Sequence, residues 1–418
     1  MSGDRASRTR ALLAGFVLAA VVVTASGTVP PAAADAGIAS APIPGQSDGA
    51  EAAALAAARS IRSEVEVAGS KSESARVVAT PQGTLVHESY AVPRWTRKSD
   101  GGWREIDTRL RAGGAGGVAP IATLADVRFS SGGTGPAATV PVAGGEVSIS
   151  WFGALPTPQI VGDTAVYGRV LDGVDLHLRA LVDGFTWSLV VHSAQAAENP
   201  ALETLRFGLS ATGVGLRSRT GGGFEAFDGS GSTVLSTESA LMWDSAGVAP
   251  QARSTDLREA PGGAGTADGD EVTRVAPDGS RKAELPTTLT DSELVVTPDQ
   301  DLLRGADTVF PVVIDPATTI NKSRWAYAGS TNATRSDGIA RVGRDPEGSG
   351  TYRSFFAFNV SGLQGKEIQS VNFSSELTHS WSCTATPVNL WRTASLANPG
   401  KVVVVRSRSV GASAGALR

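Results

Sequence analysis

Cysteine is almost missing from this 418-residue chain, which carries only Cys383. A lone thiol excludes an internal disulfide and any multi-cysteine metal site. Histidine is scarce, at His87, His177, His192 and His379, and there are two methionines. Neither charge sign dominates: 37 basic side chains stand against 41 acidic ones for a formal net charge of -4, which argues against nucleic acid as a partner. No His-Glu-x-x-His, phosphate-binding Walker loop or dinucleotide fingerprint occurs, so the chain reads as non-catalytic, with no cofactor and no metal. No run after residue 23 is long and apolar enough to span a membrane.

What is present begins with an address. Arg5, Arg8 and Arg10 precede an apolar run over 11–23, and Pro30-Pro31 leads into Ala32-Ala33-Ala34. That order is a secretory signal peptide, cleaved after Ala34, and Thr24, Ser26 and Gly27 end the run too early for a transmembrane helix. The arginines are not paired, which favours the general secretion route over the twin-arginine one. The expected location is extracellular, with no membrane contact after cleavage. Residues 35–75 read as a linker with a short alanine-rich helix near 51–61.

Glycine at 49 and proline at 22 residues leave little room for long helices, and the length fits more than one domain. Over 76–317 short alternating runs are broken by turn residues, the pattern of an all-β sandwich. The clearest element is a hairpin over 174–182 and 185–192 around Asp183-Gly184, where a two-residue loop would set Ala180 opposite Trp187 and Leu178 opposite Leu189. Its second face carries Asp175, His177 and His192, the one concentration of acid-base groups in the chain. An alternating Asp-x-His-x-Arg is ordinarily the solvated face of a half-buried sheet, and that is the expectation here. Residues 245–288 lack apolar periodicity and read as a long, disordered loop. Asp268-Gly269-Asp270 and Asp299-Gln300-Asp301 do not complete a calcium loop and read as turns.

Beyond Pro316 the aromatic content rises, with Trp325, Tyr327, Tyr352, Trp381 and Trp391 in a serine- and threonine-rich background. Phe356, Phe358 and Val360 alternate in one run, Val371, Phe373, Leu377 and Trp381 share parity in the next, and both suit a sandwich core. Arg341-Val342-Gly343, the strand from Tyr352 to Phe358 and the run from Pro387 to Thr393 resemble the DNRLRE-type modules of secreted actinobacterial proteins, although the naming hexapeptide is absent. The resemblance covers about 318–393. It implies a jelly-roll-like module of carbohydrate-binding type and a partner for Cys383 further along, and places a boundary at the run from Phe310 to Pro316. Such proteins continue into laminin-G-like or RHS-repeat and toxin regions.

The expected organisation is thus two jelly-roll-like β-sandwich domains, 76–317 and an incomplete module over 318–396, followed by a basic tail over 397–418. That tail has no acidic residue and reads as out of frame, so the chain is expected to be truncated within the module. Flat C–H faces of sugars suit aromatic rings, and their hydroxyls suit arginine, which makes Trp325, Tyr327, Arg353 and Trp391 the candidate ligand residues for a polysaccharide or cell-wall glycan; Trp381 has core parity. The alternative is the N-terminal scaffold of an RHS or toxin delivery protein.

Overall fold

The computed structural model describes residues 14–26, 46–113, 117–219, 222–237, 239–246, 276, 279–320, 325–328, 334–335, 340–344, 351–358, 360, 363 and 365–380. The fold is all-β and sandwich-type, built from antiparallel sheets with few helices. The chain divides into two compact units, one of Met1–Trp95 with Ser323–Arg418 and one of Thr96–Lys322. Residues 76–95 therefore belong with the C-terminal segment and not with the strands that follow them.

The Thr96–Lys322 unit stacks two sheets. One runs from Asp107–Ala112 through Val118–Ala122, Arg128–Phe129, Ala138–Val142, Gly145–Ser150, Leu205–Thr212 and Glu293–Val296 to Thr287–Leu289. The other centres on Thr164–Leu171, Val174–Ala180, Phe185–Val191 and Val312–Ile320, and continues to Thr233–Thr237, Phe224–Phe227 and Gly215–Ser218. Alternating residues of both sheets, including Val140, Ile149, Phe207 and Leu294 against Leu176, Leu178, Trp187, Leu235 and Ile314, share one apolar core. Trp187 lies 5.7 Å from Phe185 and 6.0 Å from Phe207, ring to ring.

The central hairpin forms, in a different register. Ala180 opposes Phe185, Leu178 opposes Trp187 and Leu176 opposes Leu189, so the loop holds four residues instead of two. Leu181 N–H donates to Gly184 O at 2.9 Å, while the Val182 carbonyl accepts from Leu124 N at 2.8 Å and is drawn out of the ladder. Gly184 is not among the glycines at positive φ, so the two-residue type I′ geometry is not adopted. A slip of two residues preserves side-chain parity, which is why the apolar face is as expected despite the shift. The second face departs further. His177, Thr186, Ser188 and Val190 are all buried, so this is an inner strand pair and not a solvated one. The pair is internal to its sheet, with Thr164–Leu171 along one edge and Val312–Ile320 along the other. Pro316 is accommodated where the latter strand slips register between Trp187 and Leu189, a bulge that spares the missing N–H.

Of the loop expected over 245–288, residues 247–275 lie outside the described residues, and its end forms the strands Lys282–Glu284 and Thr287–Leu289. Just before it, Asp244 is fully buried and accepts from the amides of Arg281 at 2.9 Å, Ala246 at 3.1 Å and Val309 at 3.3 Å.

In the other unit the alanine-rich helix spans Gln46–Ile61, longer than the sequence implied, and it buries Ala54 and Ala58 against Val67 and Ala79. Small side chains let the helix approach the hairpin of Ala75–Ala79 and Leu85–Tyr90 closely. Phe356, Phe358 and Phe373 cluster at 5.9–6.4 Å around Ala91 and Ala340, as their alternation implied. Val360 and Val371 do not join them; they are 53% and 59% exposed, because the strand Thr351–Phe356 ends before Val360 and no described element covers Val371. The apolar run read as a signal core forms a strand in the full chain, Ala14–Ser26, inside this unit's sheet.

Candidate functional site

The acid-base cluster sits at one end of the central sheet. Asp175 lies on Val174–Ala180 and His192 follows Phe185–Val191, its backbone amide bonded to Gly173 O at 3.1 Å. Their side chains meet diagonally, with His192 Nε2 2.9 Å from Asp175 Oδ2. The other carboxylate oxygen accepts the backbone N–H of Arg169 at 2.7 Å. Arg169 has φ of 54°, an uncommon conformation for a residue with a Cβ, at the irregularity that interrupts pairing between Tyr167 and Leu171. Burial pushes the Asp175 carboxyl up, but the His192 hydrogen bond, the Arg169 amide and the charges of His192 and His177 outweigh it and hold the group below its ordinary value. His177 is buried across the ladder from Ser188, so the histidines occupy different environments.

This arrangement orients an imidazole by a carboxylate, one part of a general-base site. It also bridges an irregular strand end to the hairpin, and a carboxylate that binds a backbone amide at a distorted position performs that structural task without any substrate. No group of three or more His, Cys, Asp or Glu side chains is arranged to hold a metal among the described residues. Asp299 caps the helix Gln300–Arg304, its Oδ1 accepting from Leu302 N at 2.8 Å, while 268–270 lie outside the described residues.

The aromatic candidates belong to the other unit. Trp325 and Tyr327 lie two apart on the strand Trp325–Ala328, at equivalent positions of its pleat. Its partner is Thr351–Phe356, with Trp325 level with Phe356, Tyr327 with Ser354 and Ala328 with Arg353. Arg353 is exposed and stands out of phase with the two aromatic positions. Trp381, Cys383 and Trp391 lie outside the described residues, as does Gly411-Ala412-Ser413-Ala414-Gly415, a Gly-x-Ser-x-Gly spacing in the tail.

Sequence reasoning brought Asp175 and His192 together but missed Arg169 and Asp244. Gly168, which interrupts the alternating run before Arg169, was the available signal for the first. Asp244 had none, since an aspartate after a short apolar run reads as a turn. The chain matches no family model, no curated protein and no solved structure.

Proposed function

We propose that this chain is a secreted, non-catalytic extracellular or surface protein that holds polysaccharide on its C-terminal β module. The N-terminal order of arginines, apolar run and small residues supports export. The observation that carries the binding reading is the antiparallel pair Trp325–Ala328 and Thr351–Phe356, which sets Trp325 and Tyr327 at equivalent positions of one strand. It also leaves Arg353 exposed on the partner strand. Aromatic rings against sugar C–H faces, with a guanidinium for the hydroxyls, are the chemistry such a surface offers. The resemblance to DNRLRE-type modules points the same way.

Because Arg353 is out of phase with the aromatic pair, two variants test two faces. The protein should be retained on an insoluble glycan such as chitin, cellulose or peptidoglycan. Trp325→Ala with Tyr327→Ala should weaken retention about ten-fold, the equivalent of about 1.4 kcal/mol. Arg353→Ala reports whether the other face takes part. Failure of the unaltered protein to bind across a broad glycan panel overturns the reading.

A further inference from the structure

The segment that the sequence marks for removal is the one that joins its sheet together. Ala14–Ser26 carries no charged residue and pairs along both edges. On one edge Glu367–Ser380 runs beside its whole length, from Ala14 level with Ser380 to Ser26 level with Glu367. On the other, Ala340–Arg344 is paired with Ala14 to Phe16, and Leu85–Tyr90 with Ala20 to Ala25. In the hydrogen-bonded order of the described strands, the Val65–Glu66, Ala75–Ala79 and Leu85–Tyr90 group reaches the rest of the sheet only through this strand, and Glu367–Ser380 pairs with nothing else.

Taking Ala14–Ser26 away leaves Glu367–Ser380 on one side and Leu85–Tyr90 with Ala340–Arg344 on the other, all running in the same direction and separated across the gap by twice the ~4.8 Å strand spacing. That is a slot with unpaired N–H and C=O groups on both sides. Only an antiparallel strand repeats the observed pairing. The other described strands of this unit are already paired, so they offer no replacement.

We propose that this slot is a strand-acceptor site: once residues 1–34 are cleaved, it takes an extended, uncharged, Val- and Ala-rich segment of a second polypeptide, and Ala14–Ser26 fills that place in the unprocessed chain. The proposal rests on the export reading for the cleavage alone. Main-chain pairing on two edges supplies the affinity, as in other cases of strand addition. An inner strand tolerates no proline at its centre, because both edges need their N–H groups.

The full chain, carrying a specific protease site between Ala34 and Asp35, is folded, cut and mixed with a labelled peptide of residues 14–26 or the same peptide with Val22→Pro. The cut protein should exchange its fragment for the parent peptide and bind it at least ten-fold more tightly than the proline peptide. Bound peptide should restore slow amide exchange over 85–90 and 367–380, with 174–191 unchanged. In the uncut chain, Val22→Pro should speed exchange over 85–90 and 367–380 alone. The proposal is overturned if the cut protein, once freed of its own fragment, keeps this protection without peptide, if it binds neither peptide or both equally, or if Val22→Pro in the uncut chain leaves those strands protected. N-terminal sequencing of the exported protein tests cleavage separately, so failure of export and failure of the slot give different results.

Discussion

Asp183 should cost this protein stability at neutral pH. The half-buried side chain sits in the four-residue loop of the central hairpin, and burial pushes its carboxyl up to about 6, with a hydrogen bond to its own backbone amide offsetting part of the effect. A carboxyl raised from about 4 to about 6 holds its proton about a hundred-fold more tightly in the fold, a penalty of about 3 kcal/mol on the ionised form. Partial access to water reduces that to about 1–2 kcal/mol. The sign follows from a folded value above the unfolded one. Below about pH 4 the group is protonated in both states and costs nothing; the penalty grows between about pH 4 and 6 and is complete above that. Asp183→Asn should therefore raise the melting temperature of the Thr96–Lys322 unit by about 2–8 °C at pH 7.5 and leave it unchanged at pH 3.5. Thermal unfolding followed by tryptophan fluorescence at both pH values measures this, with intact mass confirming that the new Asn-Gly amide survives. Equal stabilisation at both pH values, or a loss at pH 7.5, would refute the desolvation argument.

Asp175 carries the opposite sign: its folded carboxyl lies below the ordinary value, so the stability it contributes is present above about pH 4 and is lost as acid protonates it. Asp175→Asn should cost about 2 kcal/mol at pH 7 and progressively less as the pH falls below about 4, read by urea midpoints. Trp187→Ala empties the centre of the core and should cost about 3–5 kcal/mol in urea unfolding; a loss under 1 kcal/mol would mean that the two sheets do not pack through it. Asp244→Ala takes the acceptor from three part-buried backbone donors and should cost about 3 kcal/mol, with faster amide exchange at Arg281 and Val309 before any global unfolding.

The parts of the fold that the sequence made legible are those governed by local pattern. Alternation in 174–191 placed Leu176, Leu178, Trp187 and Leu189 on one buried face, and parity survived because the register error was two residues. The loop was misjudged because Asp183-Gly184 has strong turn chemistry, whereas a contact from Leu124, far along the chain, decided the register. The hairpin's internal place in its sheet was invisible for the same reason: a strand becomes internal through its neighbours, and Val312–Ile320 is more than 120 residues away from the hairpin it flanks. Asp175 and His192 were found together because a hairpin converts sequence proximity into contact. The Asp244 clasp joins Arg281, Ala246 and Val309, and no periodicity reports such a meeting.

The apolar run at the N-terminus was read one way from sequence and takes another form in the full chain, and one composition satisfies both. A secretion signal needs an uncharged apolar core that leaves water for a membrane-facing groove. An inner strand needs an uncharged apolar segment whose N–H and C=O groups are paired on two edges. Phe16, Val17 and Val21 to Val23 meet either demand, and β-branched residues favour the strand wherever edges are available. Edges are available here because Leu85–Tyr90 has one edge beyond its pairing with Ala75–Ala79, and Glu367–Ser380 pairs with no other described strand. On the export reading proposed above, export and folding compete for the same residues. A chain that folds before export hides its own address between two strands, and a chain that is exported first arrives without the strand that joins its sheet. Accordingly, Val22→Pro, which weakens the strand while leaving the run apolar, should increase the exported fraction in a secretion assay; a decrease would show that the strand does not compete.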